Sequence, residues 1–341
     1  MMDIVQITSK KLIKPSVPTP IHLQNMRLSF MDQFTFPTTV PVIFYYPASN
    51  ITVERQTNWR NRSSVDGQFS QILQGRVDAK ELNQLVPDQV EESATNPLLA
   101  IQVSIFNCGG LTIGLRFSHR IMDAFTLFLF VKGWAKTCKV GIMNEVISPN
   151  FDSGIRFPTR DHVSGQKPPT SSKTRPQVVT KRFVFDAKAI SKLKAEQALG
   201  SCYQFSVVEL TIALIWRAQI NAARARYEHL RSSLLLLPMN LRDEDEFFSK
   251  VIPKPGREII EEFTKGNGDL RTFTSWRNLD MYEVDFGWGK PAWVSVAERP
   301  YGGIFLMDRN GGDGIEAWVT MDEQEMPFLQ QDPHIANFIS T

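Results

Sequence analysis

From residue 98 to 118 the chain reads LLAIQVSIFNCGGLTIGLRFS, and its apolar residues fall on alternate positions: Ile101, Val103 and Ile105, then, past Gly109 and Gly110, Leu111, Ile113, Leu115 and Phe117. A period of two sends successive side chains to opposite faces of a strand, so the segment predicts a β-hairpin that turns at the glycine pair. Carried one step further, the same parity puts His119 on the apolar, inward face, with Arg116 and Ser118 on the other side. Beyond it the period lengthens: Ala124, Leu127, Phe128, Val131, Trp134 and Cys138 recur three and four residues apart, which predicts a helix from about 124 to 139. His119 is therefore expected at a strand-to-helix junction, aimed at an interior or a cleft.

The rest of the pattern divides the chain. Residues 140 to about 178 are rich in proline, glycine, serine and threonine with no sustained period, as in a long crossover between domains. The pattern restarts with VVTKRFVFDAKAISKLKA, a strand running into a helix. Ser206 and Glu209 then form a Ser-x-x-Glu capping box ahead of an amphipathic helix. The apolar run in RSSLLLLPMNLR predicts a short buried strand ended by Pro238, and the charged stretch from Asp243 to Asn278 a loop with some helix near PGREIIEEFTK. GGIFLMDRNGGDGIEAWVT predicts two strands about a glycine-rich turn, and DEQEMPFLQQDP a closing helix. The expected plan is an N-terminal domain over 1–140, a linker over 141–178 and a C-terminal domain over 179–341.

Composition narrows the function classes. In 341 residues, 42% hydrophobic and 11% aromatic content supply sizeable cores, and a net charge of +2 with scattered lysines and arginines gives no sign of a nucleic-acid stripe or a basic membrane-binding helix. FTLFLFV and LLLLP fall well short of the roughly 18 apolar residues of a membrane span. The N-terminus lacks the apolar core and cleavage site of a secretory signal. Cys108, Cys138 and Cys202 are odd in number, far apart and without a Cys-x-x-Cys, which points to buried free thiols in a reducing cytoplasm.

The candidate chemistry begins with His119 and Asp123 in SHRIMDA, yet five histidines and eighteen aspartates make one such pair by chance about a one-in-four event. Other segments raise it. Leu28 to Gln33 reads LSFMDQ, a strand-like VIFYYP follows, DFGWGKP occupies 285–291 and GDGIEAWV 312–319. Together with His119-Arg120-Ile121-Met122-Asp123, and in this order, they resemble the BAHD family of plant acyl-CoA-dependent acyltransferases over nearly the whole chain.

The resemblance implies two chloramphenicol-acetyltransferase-like α/β domains of mixed sheet and helices, joined by a long crossover loop with a solvent channel between them. It also implies a monomeric enzyme that moves an acyl group, commonly acetyl, from acyl-CoA to a hydroxyl or amine of a plant specialised metabolite. No metal, permanently bound cofactor or acyl-enzyme is required. His119 would be the general base, imidazole being the side chain whose charge change lies nearest neutral pH. Trp288 is a candidate oxyanion donor, Asp123 a strut paired with Arg242, and Asp285, with Gly287 and Gly289 flanking Trp288, a structural element of a tight loop. His22, His162, His229 and His334 are expected at the surface.

Three departures from the family pattern stand out. Ala124 replaces the usual glycine after the aspartate; NITVERQTNWRNRSSVD occupies a space where the family carries a helix and a further strand; and DEDEFFSKVIPKP follows NLR directly. Lost core elements would expose the apolar faces they cover. Two rivals to a transferase follow: a non-catalytic, internally deleted relative, and a thioesterase-like hydrolase in which water replaces the alcohol.

Overall fold

The computed structural model describes residues 5–21, 25–33, 35, 38–48, 63–65, 69–75, 77–88, 97–141, 149–159, 177–198, 203–240 and 268–339. The chain forms two compact units, residues 1–175 with 278–298, and 176–277 with 299–341.

The first unit is built on a six-stranded sheet of β1 (Gln6–Ile7), β2 (Thr39–Tyr46), β3 (Ser63–Val65), β4 (Leu99–Phe106), β5 (Leu111–Ser118) and β9 (Trp293–Ser295), in the order β1-β3-β4-β5-β2-β9. The alternating segment is the antiparallel hairpin β4–β5, with Ile105 opposite Leu111 and Leu99 opposite Phe117. Central β5 is antiparallel to β2 as well, from Tyr46 opposite Leu111 to Thr39 opposite Ser118. Its Leu111, Ile113, Leu115 and Phe117 are buried, on the face where Phe44 of β2 meets Phe128 edge-on at 6.1 Å. Phe128 belongs to the helix Ala124–Val140, which confirms the change of period.

The second face of β5 is covered too, which its polar residues did not announce. Helical turns at Phe69–Leu73 and Ala79–Leu82 belong to this cover. Phe69 packs on Phe106 and Tyr45, and Leu85 lies so close to Gly114 that a Cβ there would fall 1.9 Å from the Leu85 carbonyl oxygen. Arg116, on this face, is buried and donates from Nε to the Pro87 carbonyl at 2.8 Å. The outer strand of the hairpin is less well covered. Ile101 is 39% exposed, and Val103 and Ile105 are only partly buried.

The domain plan needs one correction. The DFGWG segment, expected in the C-terminal domain, lies in the first unit, because the chain returns there: β9 pairs antiparallel with β2, Phe44 opposite Val294, and the Tyr45 hydroxyl meets Ser295 Oγ at 2.9 Å. A strand of three residues carries too little pattern to reveal so distant a partner.

The second unit holds a five-stranded mixed sheet of β6 (Val178–Phe185), β7 (Ser233–Leu236), β8 (Asp269–Ser275), β10 (Gly303–Asp308) and β11 (Ile315–Asp322), in the order β6-β11-β10-β8-β7. Helices Ala187–Ala198 and Val207–Tyr227 pack on one face around Phe183, Phe185, Ile212, Ile215, Ile304 and Leu306. The capping box is present: Glu209 N–H donates to Ser206 Oγ at 3.2 Å and Ser206 N–H to Glu209 Oε2 at 2.7 Å.

Two expectations fail here. The run at 233–236 is a strand of partly buried residues rather than a buried one, and among the described residues it pairs on one side only, with β8. The loop expected up to Asn278 contains β8, which lies between β10 and β7 with parallel pairing to both. Residues 241–267, including the expected helix near PGREIIEEFTK, lie outside the described residues. The thiols are also misread: Cys108, beside the hairpin turn, and Cys138, in the last turns of its helix, are free but exposed, and Cys202 lies outside the described residues. Among the described residues no helix is long and apolar enough to cross a membrane.

Candidate active site

His119 follows β5 directly. Its N–H donates to the Thr38 carbonyl at 2.9 Å, extending the β2–β5 pairing by one residue, while Ser118 N–H donates to the Leu98 carbonyl at 2.8 Å. A tight turn follows, with Ile121 N–H to the Ser118 carbonyl and Arg120 N–H to Ser118 Oγ, each at 3.3 Å. The backbone of His119 is thus fixed from both flanking strands. Its imidazole is half-buried, and Nδ1 is buried with no hydrogen-bond partner among the described residues.

Asp123 turns the chain into the helix. Extended at φ −93°, ψ −177°, it is the N-cap: Oδ1 accepts from Thr126 N–H at 2.9 Å and the carbonyl from Leu127 N–H at 2.9 Å. The cap satisfies donors that a helix start leaves without acceptors. His119 and Asp123 share no hydrogen bond, so the pair lacks the carboxylate-to-Nδ1 link of a triad. Arg242, the expected partner of Asp123, lies outside the described residues.

Ala124 is the first residue of that helix, and the left-handed non-glycine residues among those described are Glu228, Asn278 and Asp280. Position 124 therefore has no backbone requirement for glycine. Upstream, the LSFMDQ element closes on itself. The N–H and Oγ of Ser29 both donate to Asp32 Oδ2, at 2.7 and 2.8 Å, ahead of the single turn Phe30–Gln33.

In the second signature the aspartate is satisfied within its own loop, while Trp288 Nε1 is buried with no hydrogen-bond partner among the described residues. Asp285 Oδ1 accepts from Gly287 N–H and Gly289 N–H, both at 2.8 Å, and Oδ2 meets Lys139 Nζ at 2.5 Å. Gly287 and Gly289 both have φ +100°, where a side chain would strain the backbone. Burial alone would raise the Asp285 carboxyl, but Lys139 and the two amides outweigh it and hold the group below its ordinary range. Phe286 stacks on Trp288 at 5.4 Å and meets Trp134 edge-on at 4.7 Å, and both Phe286 and Trp288 meet Tyr46 edge-on at 6.1 Å. Burial, with the Asp285 charge adding to it, pushes the Tyr46 phenol well up; its hydroxyl donates to the Val284 carbonyl at 3.0 Å.

Trp288, expected as an oxyanion donor, and His119 lie at different places on the sheet. Trp288 packs on Tyr46, which lies opposite Leu111, and His119 lies past the other end of β5. At about 3.3 Å per strand residue the two places are roughly 25 Å apart along the sheet. Sequence reasoning also missed Lys132, 3.2 Å from Asp280, and Lys139, which together clamp the returning segment to the helix. Their signal was a pair of lysines seven residues apart, two helical turns on one face.

Comparison with known proteins gives a match to the family model described as Transferase family, over residues 62–245 and 244–335. Stemmadenine O-acetyltransferase of Catharanthus roseus is 31% identical, with 97% of each chain covered. Acetyl-CoA-benzylalcohol acetyltransferase of Clarkia breweri is 30% identical, with 98% of this chain and 100% of that one covered. The aligned span with stemmadenine O-acetyltransferase, 416 residues, exceeds the 341 of this chain, so the shortening lies inside the match. The solved structure of vinorine synthase superposes with a TM-score of 0.79 at 27% identity, covering 98% of both chains.

Proposed function

Because the chain belongs to the Transferase family, the BAHD acyltransferases, we propose that it transfers an acyl group, acetyl as in its named relatives, from acyl-CoA to a hydroxyl or amine of a plant specialised metabolite, with His119 as general base. The observation that carries this reading is the half-buried imidazole on a backbone fixed by two neighbouring strands, with no carboxylate engaged on Nδ1 among the described residues. A positioned base of this kind is worth about 10²–10⁴ in rate.

In the proposed step the neutral imidazole takes the proton of the acceptor's O–H or N–H as that atom attacks the thioester carbonyl. The tetrahedral intermediate collapses with rupture of the C–S bond, and the imidazolium returns its proton to the departing thiolate, leaving ester or amide and CoA. Asp123 supports the junction as a helix cap, and Asp285 with Lys139 supports the opposite end of the sheet.

The test is thiol release from acetyl-CoA across a panel of alcohols and amines, with wild type and His119→Ala. Acceptor-dependent release that disappears in the variant is expected. Release independent of any acceptor would mark a hydrolase, and none from folded wild-type protein across the panel would count against catalysis.

A further inference from the structure

In the second unit the partly buried arginines face carboxylates: Arg182 lies 2.6 Å from Glu316, Arg226 2.8 Å from Asp322, Arg231 3.1 Å from Asp269, Arg271 3.0 Å from Glu325 and Arg277 2.7 Å from Asp308. Arg299 departs from this rule. Its Nη2 donates to the Gly303 carbonyl at 3.1 Å, its guanidinium carbon lies 3.9 Å from the centroid of the Phe305 ring, and its Nε is buried with no acceptor. Among the described residues no carboxylate pairs with it. Burial pushes the guanidinium down to about 9, with no neighbouring charge acting against it.

The surroundings hold this cation flat. Phe305 is buried and packs on Trp276 at 4.5 Å, so the guanidinium rests on a fixed aromatic platform. Gly303 leaves it room: a Cβ there would lie 3.4 Å from Nη2 and 3.5 Å from the Thr272 carbonyl oxygen. A guanidinium carries five N–H donors in a planar fork that matches carboxylate and phosphate, and one carbonyl satisfies only a fraction of them. Withdrawing a cation from water without a counter-ion is costly, and an aromatic face offsets part of that cost only. A loop staple to Gly303 needs no permanent charge; a receptor for an anion does.

We infer that Arg299 receives an anionic group of a substrate, a phosphate or a carboxylate, on the guanidinium edge that Gly303 leaves unused. The inference rests on the acyl-CoA reading above, since that co-substrate class supplies anions of both kinds: phosphates on its nucleotide and, for a dicarboxylic acyl group, a carboxylate on the acyl chain.

Binding measured without turnover tests it. Wild type, Arg299→Met and Arg299→Lys are titrated with coenzyme A, with malonyl-pantetheine, which carries a carboxylate but no phosphate, and with acetyl-pantetheine, which carries neither. Arg299→Met is expected to lose at least tenfold in affinity for one anionic probe and less than twofold for acetyl-pantetheine, with Arg299→Lys between it and wild type. A loss confined to coenzyme A places a phosphate on Arg299, and a loss confined to malonyl-pantetheine places a carboxylate there. Equal losses for all three probes would reveal a scaffold effect and overturn the inference, as would no loss for any. If wild type binds none of the three, the acyl-CoA reading fails and takes the inference with it. Arg299→Gln supplies the neutral comparison should Arg299→Met not fold.

Discussion

At His119 a ring nitrogen is buried with no hydrogen-bond partner among the described residues, whereas at Asp285 one carboxylate oxygen takes two amide hydrogens and the other an ammonium. Both belong to signature segments, and both sit on the first unit. Hydrogen-bonding capacity used within the fold stabilises it, and capacity left over at a fixed place remains for a ligand. By that measure Asp285 is spent on the fold, whereas His119, and with it Trp288 Nε1, keeps a polar atom unused among the described residues. Asp123 falls with Asp285, its Oδ1 serving a helix start.

The contrast can be broken by changing how much of that capacity is used. Asp285→Ala removes the acceptor of two amides and the partner of Lys139; at about 1.5–3 kcal/mol per bond to a charged group, a loss of roughly 3–4 kcal/mol is expected in denaturant unfolding. Less than 1 kcal/mol would show that the loop is held mainly by its aromatic cluster. The acid limb follows from the depressed carboxyl. Its stabilisation is complete above the unfolded value of about 3.9 and is lost as pH falls through the lower folded value, so the gap between wild type and Asp285→Asn should narrow only below about pH 4.

Asp123→Ala should cost about 1–2 kcal/mol as a lost N-cap, and Asp123→Ser, which can still cap, should recover most of it. Equal instability of the two variants would point to a role beyond the cap. The smallest effect belongs to Ala124→Gly, expected to destabilise by less than about 1 kcal/mol, because residue 124 is helical and alanine suits a helix better than glycine. Stabilisation by this change, read as a higher melting temperature, would show that the Ala124 methyl crowds the junction.

Local order was legible in the chain. Alternation through Ile101 to Phe117 fixed the hairpin, the change of period at Ala124 marked the helix, and the Ser206–Glu209 spacing announced its own cap. What stayed hidden depends on partners far along the chain. The strand Asp269–Ser275 carries one fully buried apolar residue, Phe273, so its alternation is faint although it lies inside the sheet. The return of residues 278–298 to the first unit rests on a three-residue strand and on Lys132 and Lys139, whose acidic partners are more than 140 positions away. The place of Trp288 was hidden for the same reason: a family pattern does not say which end of a strand a loop reaches. The helix cap made by Asp123 within three residues was not read from the sequence, and its expected partner Arg242 lies outside the described residues.

The most direct test compares acceptor-dependent thiol release by His119→Gln and Trp288→Phe, each corrected for the fraction folded. A positioned general base predicts that His119→Gln loses about a thousandfold in turnover while keeping the wild-type melting temperature, and that Trp288→Phe, roughly 25 Å along the sheet from His119, stays within about threefold of wild type per folded molecule. An active His119→Gln, or a fully folded but inactive Trp288→Phe, would contradict it.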